Sequence, residues 1–381
     1  MSYGVRERFI DGQSNGTLIA GGVVLLLLVP LVLPPFQTTL LAETLIFAIF
    51  ATAFNLLYGY TGLLSFGHAM FTAVSGYTVA KVVTVIAPAL GFADLFGGTS
   101  VLATWVLAVI LGVAMATLLA VFLGVAMATL LAVFIGYLSV QLTEIYFAMI
   151  TLSFSMAIYV VFFQDTVGKV LAAFGIGDGV FSNGSDGLTF VMGDVSLFGF
   201  EFALVNIRNP MFYYVLTVFV FAAAMYALWR IVNSPFGMIC QAIRENPGRA
   251  RALGIDVTYH SWMTFIVSGA FSGLAGALLI PLLTNVNPQY AHWTFSAQPV
   301  IMTVIGGPYS FFGPLVGAFA YEYIRWFISQ FPLLETYWQF SFGVLLLIVV
   351  LFFDNGVFGG IERVREWYRN RGEEGEGATA D

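Results

Sequence analysis

Long apolar runs decide what this chain can fold into. They lie at residues 18–35, 40–58, 66–88, 101–140, 144–163, 211–230, 261–283, 311–330 and 337–353, with a shorter one at 296–307, and together take up more than half of the 381 residues. About 20 apolar residues are enough to cross the hydrocarbon core of a bilayer as a helix. In hydrocarbon the backbone must satisfy its own hydrogen bonds, which a helix does within each segment. The composition agrees: 59% of residues are hydrophobic and 9% charged, against roughly a quarter charged in an ordinary soluble domain. The expectation is an all-α, multi-pass membrane protein of about ten crossings, some broken or half-length, whose first partner is membrane lipid.

The charges lie between the runs and set a direction. Residues 164–210 carry Asp165, Asp178, Asp186, Asp194 and Glu201 against Lys169 and Arg208. Residues 231–260 carry Arg244, Arg249 and Arg251, and the tail 354–381 adds Arg363, Arg365, Arg369 and Arg371. Short arginine-rich loops stay in the cytoplasm. That places the N-terminal segment 1–17, residues 231–260 and the tail inside, the acidic loop outside, and residues 18–353 in the transmembrane domain. The first apolar run reaches Leu33 with no small-residue cleavage site after it, so it reads as a retained span rather than a signal peptide. With both termini inside the crossings must be even in number, so 296–307 must cross, at least as a half-length helix.

The same rule bears on 101–140, where Leu111–Phe122 (LGVAMATLLAVF) recurs unchanged as Leu123–Phe134. A helix over 101–138 is about 57 Å long, nearly twice the hydrocarbon thickness. Two spans, however, would carry the acidic loop inward and the basic loop outward, and no Pro, Asn or charge marks a turn between the copies. One overlong helix that tilts or projects is expected. Gly112, Gly124 and Gly136, like Gly269, Gly273 and Gly276, read as close-packing faces between helices.

Cys240 is the only cysteine, and His68, His260 and His292 are scattered, so no disulfide or metal site is expected. The net charge is −7, which means little until it is placed on the loops, and no nucleic-acid partner is expected. No GxxxxGK[ST] phosphate loop occurs, so ATP-driven work needs a separate subunit. Four stretches hold polar residues or turns of interest. Phe54–Tyr77 sets Asn55, Thr61, Ser65 and His68 among Gly59, Gly62 and Gly67, a pattern suited either to a broken helix lining a solute path or to a polar helix contact. Gln141–Met156 begins a span at Glu144, which reads as a helix cap, and Asn183–Leu188 lies beyond that span. Ser234–His260 reads as a short helix Met238–Asn246 stopped by Pro247, then a turn Arg249–Leu253 ended by Gly254; it can lie on headgroups or dock on a partner. Val304–Ala318 is a tight connection bracketed by Gly306-Gly307-Pro308 and Gly313-Pro314. Within the spans Glu43 and Glu322 are the clear acidic residues, and Glu322 can pair with Arg325 at i, i+3.

In order along the chain, Asn55-Leu56-Leu57 with Gly59-Tyr60-Thr61-Gly62 and Ser65-Phe66-Gly67-His68, then Ile145–Met149, Gly184–Leu188, Ala242–Pro247 through Ala252-Leu253-Gly254, and Gly306-Gly307 with Gly313-Pro314 and Gly317-Ala318, resemble the permease subunits of ABC importers for branched-chain amino acids, a family that includes urea and short-amide permeases. The resemblance covers roughly Leu40 to Gly360. It implies a prokaryotic plasma-membrane protein without catalytic, cofactor or metal residues. The implied partners are a second permease, two cytoplasmic ATP-binding subunits and an extracytoplasmic solute-binding protein. It also implies a coupling helix over Gln241–Gly254, with Gln241, Arg244, Glu245, Asn246, Pro247 and Gly254 at the ATPase contact. The solute path is expected along Asn55, Tyr60, Thr61, Ser65 and His68. Two departures stand out: Asp354 replaces a usual proline, and the Leu111–Phe134 duplication is not a family feature. The rival classes are a urea or short-chain amide permease and a secondary transporter driven by an ion gradient, which would show buried acidic relays.

Overall fold

A computed structural model describes residues 26–31, 33–86, 102–142, 144–175, 179–189, 194–197, 200–203 and 211–331, with helical positions 340, 343, 344 and 347. The N-terminal segment, the first span before residue 26, most of the last span, Asp354 and the arginine tail lie outside the described residues, as do the side chains of 102–120 and of Glu144.

The chain is an all-α membrane protein. Its helices are α1 (Pro35–Thr61), α2 (His68–Lys81), α3 (Leu102–Ser139), α4 (Glu144–Phe163), α5 (Thr166–Ala173), α6 (Met211–Val232), α7 (Pro235–Glu245), α8 (Pro247–Ala252), α9 (Val257–Leu283), α10 (Trp293–Gly306) and α11 (Gly313–Ser329). Among the described residues five stretches, in α1, α3, α4, α6 and α9, are long and apolar enough to cross a bilayer. Among the described residues strand is confined to two small antiparallel pairs: β1 (Leu188–Thr189) with β4 (Asn285–Val286), and β2 (Asp194–Leu197) with β3 (Phe200–Ala203).

Helix α1 is central. Proline at its first position has no N–H to leave unpaired, and nearly every residue from Leu40 to Leu57 is buried against α6, α9, α10 and α11. It stops where Gly62 takes φ 80, a left-handed conformation that glycine adopts without a Cβ clash, and the Gly62 N–H closes on the Tyr58 carbonyl at 3.0 Å. Residues 62–67 are not helical, and α2 begins at His68, so the break expected in this stretch is present.

Residues 102–139 form one unbroken helix of 38 residues, as the charge argument required. Its second repeat copy packs by small residues: Gly124 lies against Ser75 of α2, while Ala128 and Ala132 lie against Gly273 and Gly269 of α9. Gly276 in turn lies on the α2 backbone at Thr72. Side chains this small let the helix backbones approach, replacing lost propensity with dense van der Waals contact. The surroundings of Gly112, in the first copy, lie outside the described residues.

Helix α3 has its C-terminal end beside the start of α9, where the Trp262 indole N–H donates to the Val133 carbonyl at 3.0 Å. Helix α4 runs back to the opposite end, and α6 returns. The loop 164–210 and the loop 231–260 therefore sit at opposite ends of the bundle. At the 164–210 end, Asp165 accepts from the N–H groups of Phe181 and Ser182 and from the Ser182 hydroxyl, tying residues 179–187 to the top of α4. The Asn183–Leu188 stretch is docked there by Leu188 pairing with Val286. The run at 296–307 is the 14-residue helix α10, half-length as expected. It packs along α11 with Gly306, Gly313 and Gly317 in backbone contact.

Candidate functional site

At the bundle end carrying residues 231–260, the basic loop folds as two helices rather than one. Pro235 opens α7, three residues before the expected start at Met238, since a proline at the first helical position costs no hydrogen bond. Pro247 then bars the preceding residue from helical geometry, and Asn246 is extended at φ −162, ψ 101. Asn246 both ends α7 and caps α8, its Oδ1 accepting from the Arg249 N–H at 2.9 Å. Gly254 at φ 84 turns the chain, and Asp256 caps α9 through the Tyr259 N–H at 2.9 Å. The expected coupling element Gln241–Gly254 is thus a bent pair of helices, hinged at Asn246.

Helix α7 turns Gly237, Cys240 and Ile243 inward, and Ile243 joins Ala250 and Val257 in a small apolar cluster that holds the hinge. Burial pushes the Cys240 thiol up from its ordinary value, against the pull of its contact with the Thr264 hydroxyl. The two residues singled out for the partner contact part company. Arg244 is 26% exposed and its guanidinium turns into the bundle: it donates to the Gly59 carbonyl in the last turn of α1 and lies 5.2 Å over the Tyr309 ring. Glu245 is 74% exposed and pairs with Arg244 at 3.1 Å. Gly62 is what admits the arginine, for a Cβ there would sit 3.2 Å from the Arg244 Cγ. Gln241 is half-buried, whereas Asn246, Pro247 and Gly254 are exposed with Arg249, Arg251 and Leu253, the last 81% exposed.

Reading the sequence alone missed Gly59 and Tyr309 as partners of Arg244, although Tyr309 lies in the glycine-bracketed connection that was singled out. That connection also reaches α1, where the Asn55 Nδ2 donates to the Ser310 carbonyl at 3.3 Å. One cluster therefore joins α1, α7 and the α10–α11 turn.

The polar residues of the broken segment are enclosed within the chain. Asn55, Tyr60, Thr61, Ser65 and His68 are all buried. The His68 Nε2 bonds the Ser268 hydroxyl at 2.7 Å, and that hydroxyl donates to the Ala53 carbonyl, joining α2, α9 and α1. The Ala69 N–H, in the first turn of α2, donates to the Ser296 hydroxyl of α10 at 2.9 Å. Ser65 accepts from the Gly67 N–H, and Thr61 donates to the Leu57 carbonyl at 2.7 Å. Phe54, Phe71 and Phe265 ring His68 edge-on. Four helices thus meet at the break through side chains separated by about 200 positions in sequence.

Comparison with known proteins gives this arrangement a family. Residues 37–350 match the family model for the branched-chain amino acid transport system permease component. The high-affinity branched-chain amino acid transport system permease protein LivM of Salmonella typhimurium is 25% identical over 146 residues, 38% of this chain and 34% of that protein. A probable branched-chain amino acid transport permease protein LivM of Methanocaldococcus jannaschii is 25% identical over 142 residues, 34% of this chain and 41% of that protein. The D-allose transport system permease protein AlsC of Escherichia coli is 32% identical over 130 residues, 33% of this chain and 39% of that protein. The alignments span well under half the length of these relatives. No solved structure matches the chain. With the bundle, its broken segment and a family match over most of its length in place, the chain belongs to the branched-chain amino acid transport system permease component family.

Proposed function

We propose that this chain is the transmembrane permease subunit of an ATP-driven ABC importer of branched-chain amino acids in a prokaryotic plasma membrane. In this reading both termini and residues 231–260 are cytoplasmic and residues 164–210 face outward. A second permease, two ATP-binding subunits and an extracytoplasmic solute-binding protein complete the transporter. The chain itself performs no covalent chemistry. The carrying observation is the Arg244 contact: a hinged, arginine-rich helix pair presents an exposed face at one end of the bundle while one of its arginines is bonded to the last turn of the central span. Force applied to α7 and α8 reaches α1 and the α10–α11 turn through that side chain.

Alternating access follows. Closure of the ATP-binding subunits moves α7 and α8, Arg244 carries the motion to Gly59, and the helix break at 62–67 lets α1 and α2 move separately. The proposed path along Asn55, Tyr60, Thr61, Ser65 and His68 is shut in the conformation described: all five are buried, with Asn55 bonded to the α10–α11 turn, Thr61 to its own helix, Ser65 within the break and His68 to α9. The path opens when those contacts part.

Branched-chain amino acids are favoured by the family description and the two LivM relatives. The D-allose relative favours a second reading, a sugar importer. The complete transporter reconstituted in proteoliposomes, with ATP and the solute-binding protein, separates them: ATP-dependent uptake of labelled leucine supports the first reading, while uptake of allose or ribose without leucine overturns it.

A further inference from the structure

A charged cluster away from the helix break, between α1 and α11, bears on the solute. Glu322 sits in the middle of the 17-residue α11 and is 2% exposed. Among the described residues its Oε1 has no hydrogen-bond partner, and its Oε2 lies 3.7 Å from the Arg325 Nη1, an ion pair longer than a hydrogen bond. Arg325 is 51% exposed. Half-buried Glu43 of α1 lies within electrostatic reach of both. Among the described residues, Tyr321 of α11 and Tyr290, from the single turn Pro288–Ala291, also lie near the cluster. Arg325 thus pairs with Glu322, and Glu43 lies within the field of that pair. Part of a buried carboxylate is left without a donor, which is costly in an apolar setting.

We propose that Glu322, Glu43 and Arg325 form an ionic binding site for the transported solute, which takes the ammonium group on the carboxylates and the solute carboxylate on Arg325. This rests on the importer reading and deepens it, for it gives the solute's ammonium and carboxylate groups named residues to bind. A bound ammonium supplies the donor that Glu322 Oε1 lacks and the positive charge that the cluster is short of. The half-exposed Arg325 keeps donors free for a carboxylate, in the forked geometry that guanidinium offers. A half-exposed guanidinium on a helix of a membrane bundle faces water or protein rather than acyl chains, so the site opens on a wet path or toward the partner permease. An aldose has neither an ammonium nor a carboxylate to place here.

The test uses the complete transporter in proteoliposomes, with labelled leucine as probe, and compares the wild type with Glu322→Gln and Arg325→Met. Each variant is expected to lose leucine uptake by roughly tenfold or more, the scale of a lost charged hydrogen bond, while the subunits still assemble and ATP is still hydrolysed. Glu322→Asp is expected to recover part of the uptake. Wild-type uptake in an assembled Glu322→Gln transporter overturns the proposal. So does collapse of wild-type uptake on adding a protonophore with ATP held constant, which would give the carboxylates a proton to carry instead. Should Glu322→Gln fail to assemble, Arg325→Met decides, since its side chain is not part of the packed core: unchanged uptake overturns the site. Failure of the wild type to import leucine sinks the importer reading itself, and is told apart because no variant is then involved.

Discussion

The Arg244 guanidinium donates to the Gly59 carbonyl, so a side chain of the cytoplasm-facing loop in our reading is anchored in the last turn of the central span. The same group lies over the Tyr309 ring, which ties in the α10–α11 turn. A charged hydrogen bond contributes about 1.5–3 kcal/mol and a cation–π contact about 0.5–1 kcal/mol at a partly exposed site.

Arg244→Ala is therefore expected to leave the protein inserted and bound to its ATP-binding subunits, yet to uncouple ATP hydrolysis from uptake. Arg244→Lys should rescue little, because an ammonium does not reproduce the planar contact with Tyr309. Tyr309→Ala should fall between the two. Parallel measurement of leucine uptake and ATP hydrolysis in proteoliposomes checks the order; tight coupling in Arg244→Ala would rule out the strut.

The outward face of the same element calls for a different test. Leu253, Arg249 and Arg251 are exposed and make few contacts within the chain, so Leu253→Asp or the pair Arg249→Glu and Arg251→Glu should leave thermal stability within about 0.5 kcal/mol of wild type. The ATP-binding subunits should no longer co-purify. Normal co-purification of both variants would move the docking face elsewhere.

Some of this was legible in the residues, and the difference is physical. Arginine placement and the lack of a turn signal between the copies favoured a single helix over 102–139 against the argument from apolar length, because charge placement acts by simple parity. The glycine faces at 124, 269, 273 and 276 could be read too, since small residues inside a span have little use beyond close approach. The fate of Asn55 and His68 could not. Whether such residues line water or bond each other depends on Ser310, Ser268 and Ser296, which lie 200 or more positions away. The partners of Arg244 escaped for a related reason: an amphipathic pattern shows that an arginine sits near a helix edge, but Gly59, whose carbonyl it bonds, lies 185 positions away in sequence. The helix pair 235–252 began earlier than expected because Pro235, a breaker inside a helix, is favourable at its first position.

The α3–α9 seam gives a stability prediction. Ala128 and Ala132 lie on Gly273 and Gly269, with no space for larger groups. Gly273→Leu or Ala128→Leu should destabilise the purified protein by about 1–3 kcal/mol through overpacking, whereas Met149→Leu on the exposed face of α4 should have no effect. Deletion of residues 111–122 removes one repeat copy and leaves residues 124–136 unchanged in sequence, so it should preserve the seam they form. Thermal unfolding in detergent checks all three; a Gly273→Leu protein as stable as wild type would show that the seam yields.

The Asp165 tie gives a pH dependence at the opposite end of the bundle. Burial works to raise its pKa, but the Ser182 N–H and hydroxyl and the Phe181 N–H together outweigh it and hold the carboxyl below the ordinary carboxylate range. A carboxylate whose pKa is depressed on folding stabilises the loop fully above its unfolded value, about 3.9, and that stabilisation is lost as pH falls through the lower, folded value. The loop 179–187 should therefore stay protected from amide exchange at neutral and mildly acidic pH and open only under stronger acid. Asp165→Ala should expose the Phe181 and Ser182 amides at every pH, with the transmembrane helices unchanged. Exchange measured by mass spectrometry at neutral pH separates the cases: protection of 179–187 in Asp165→Ala equal to wild type would mean that Leu188 and Val286 hold the loop without the carboxylate.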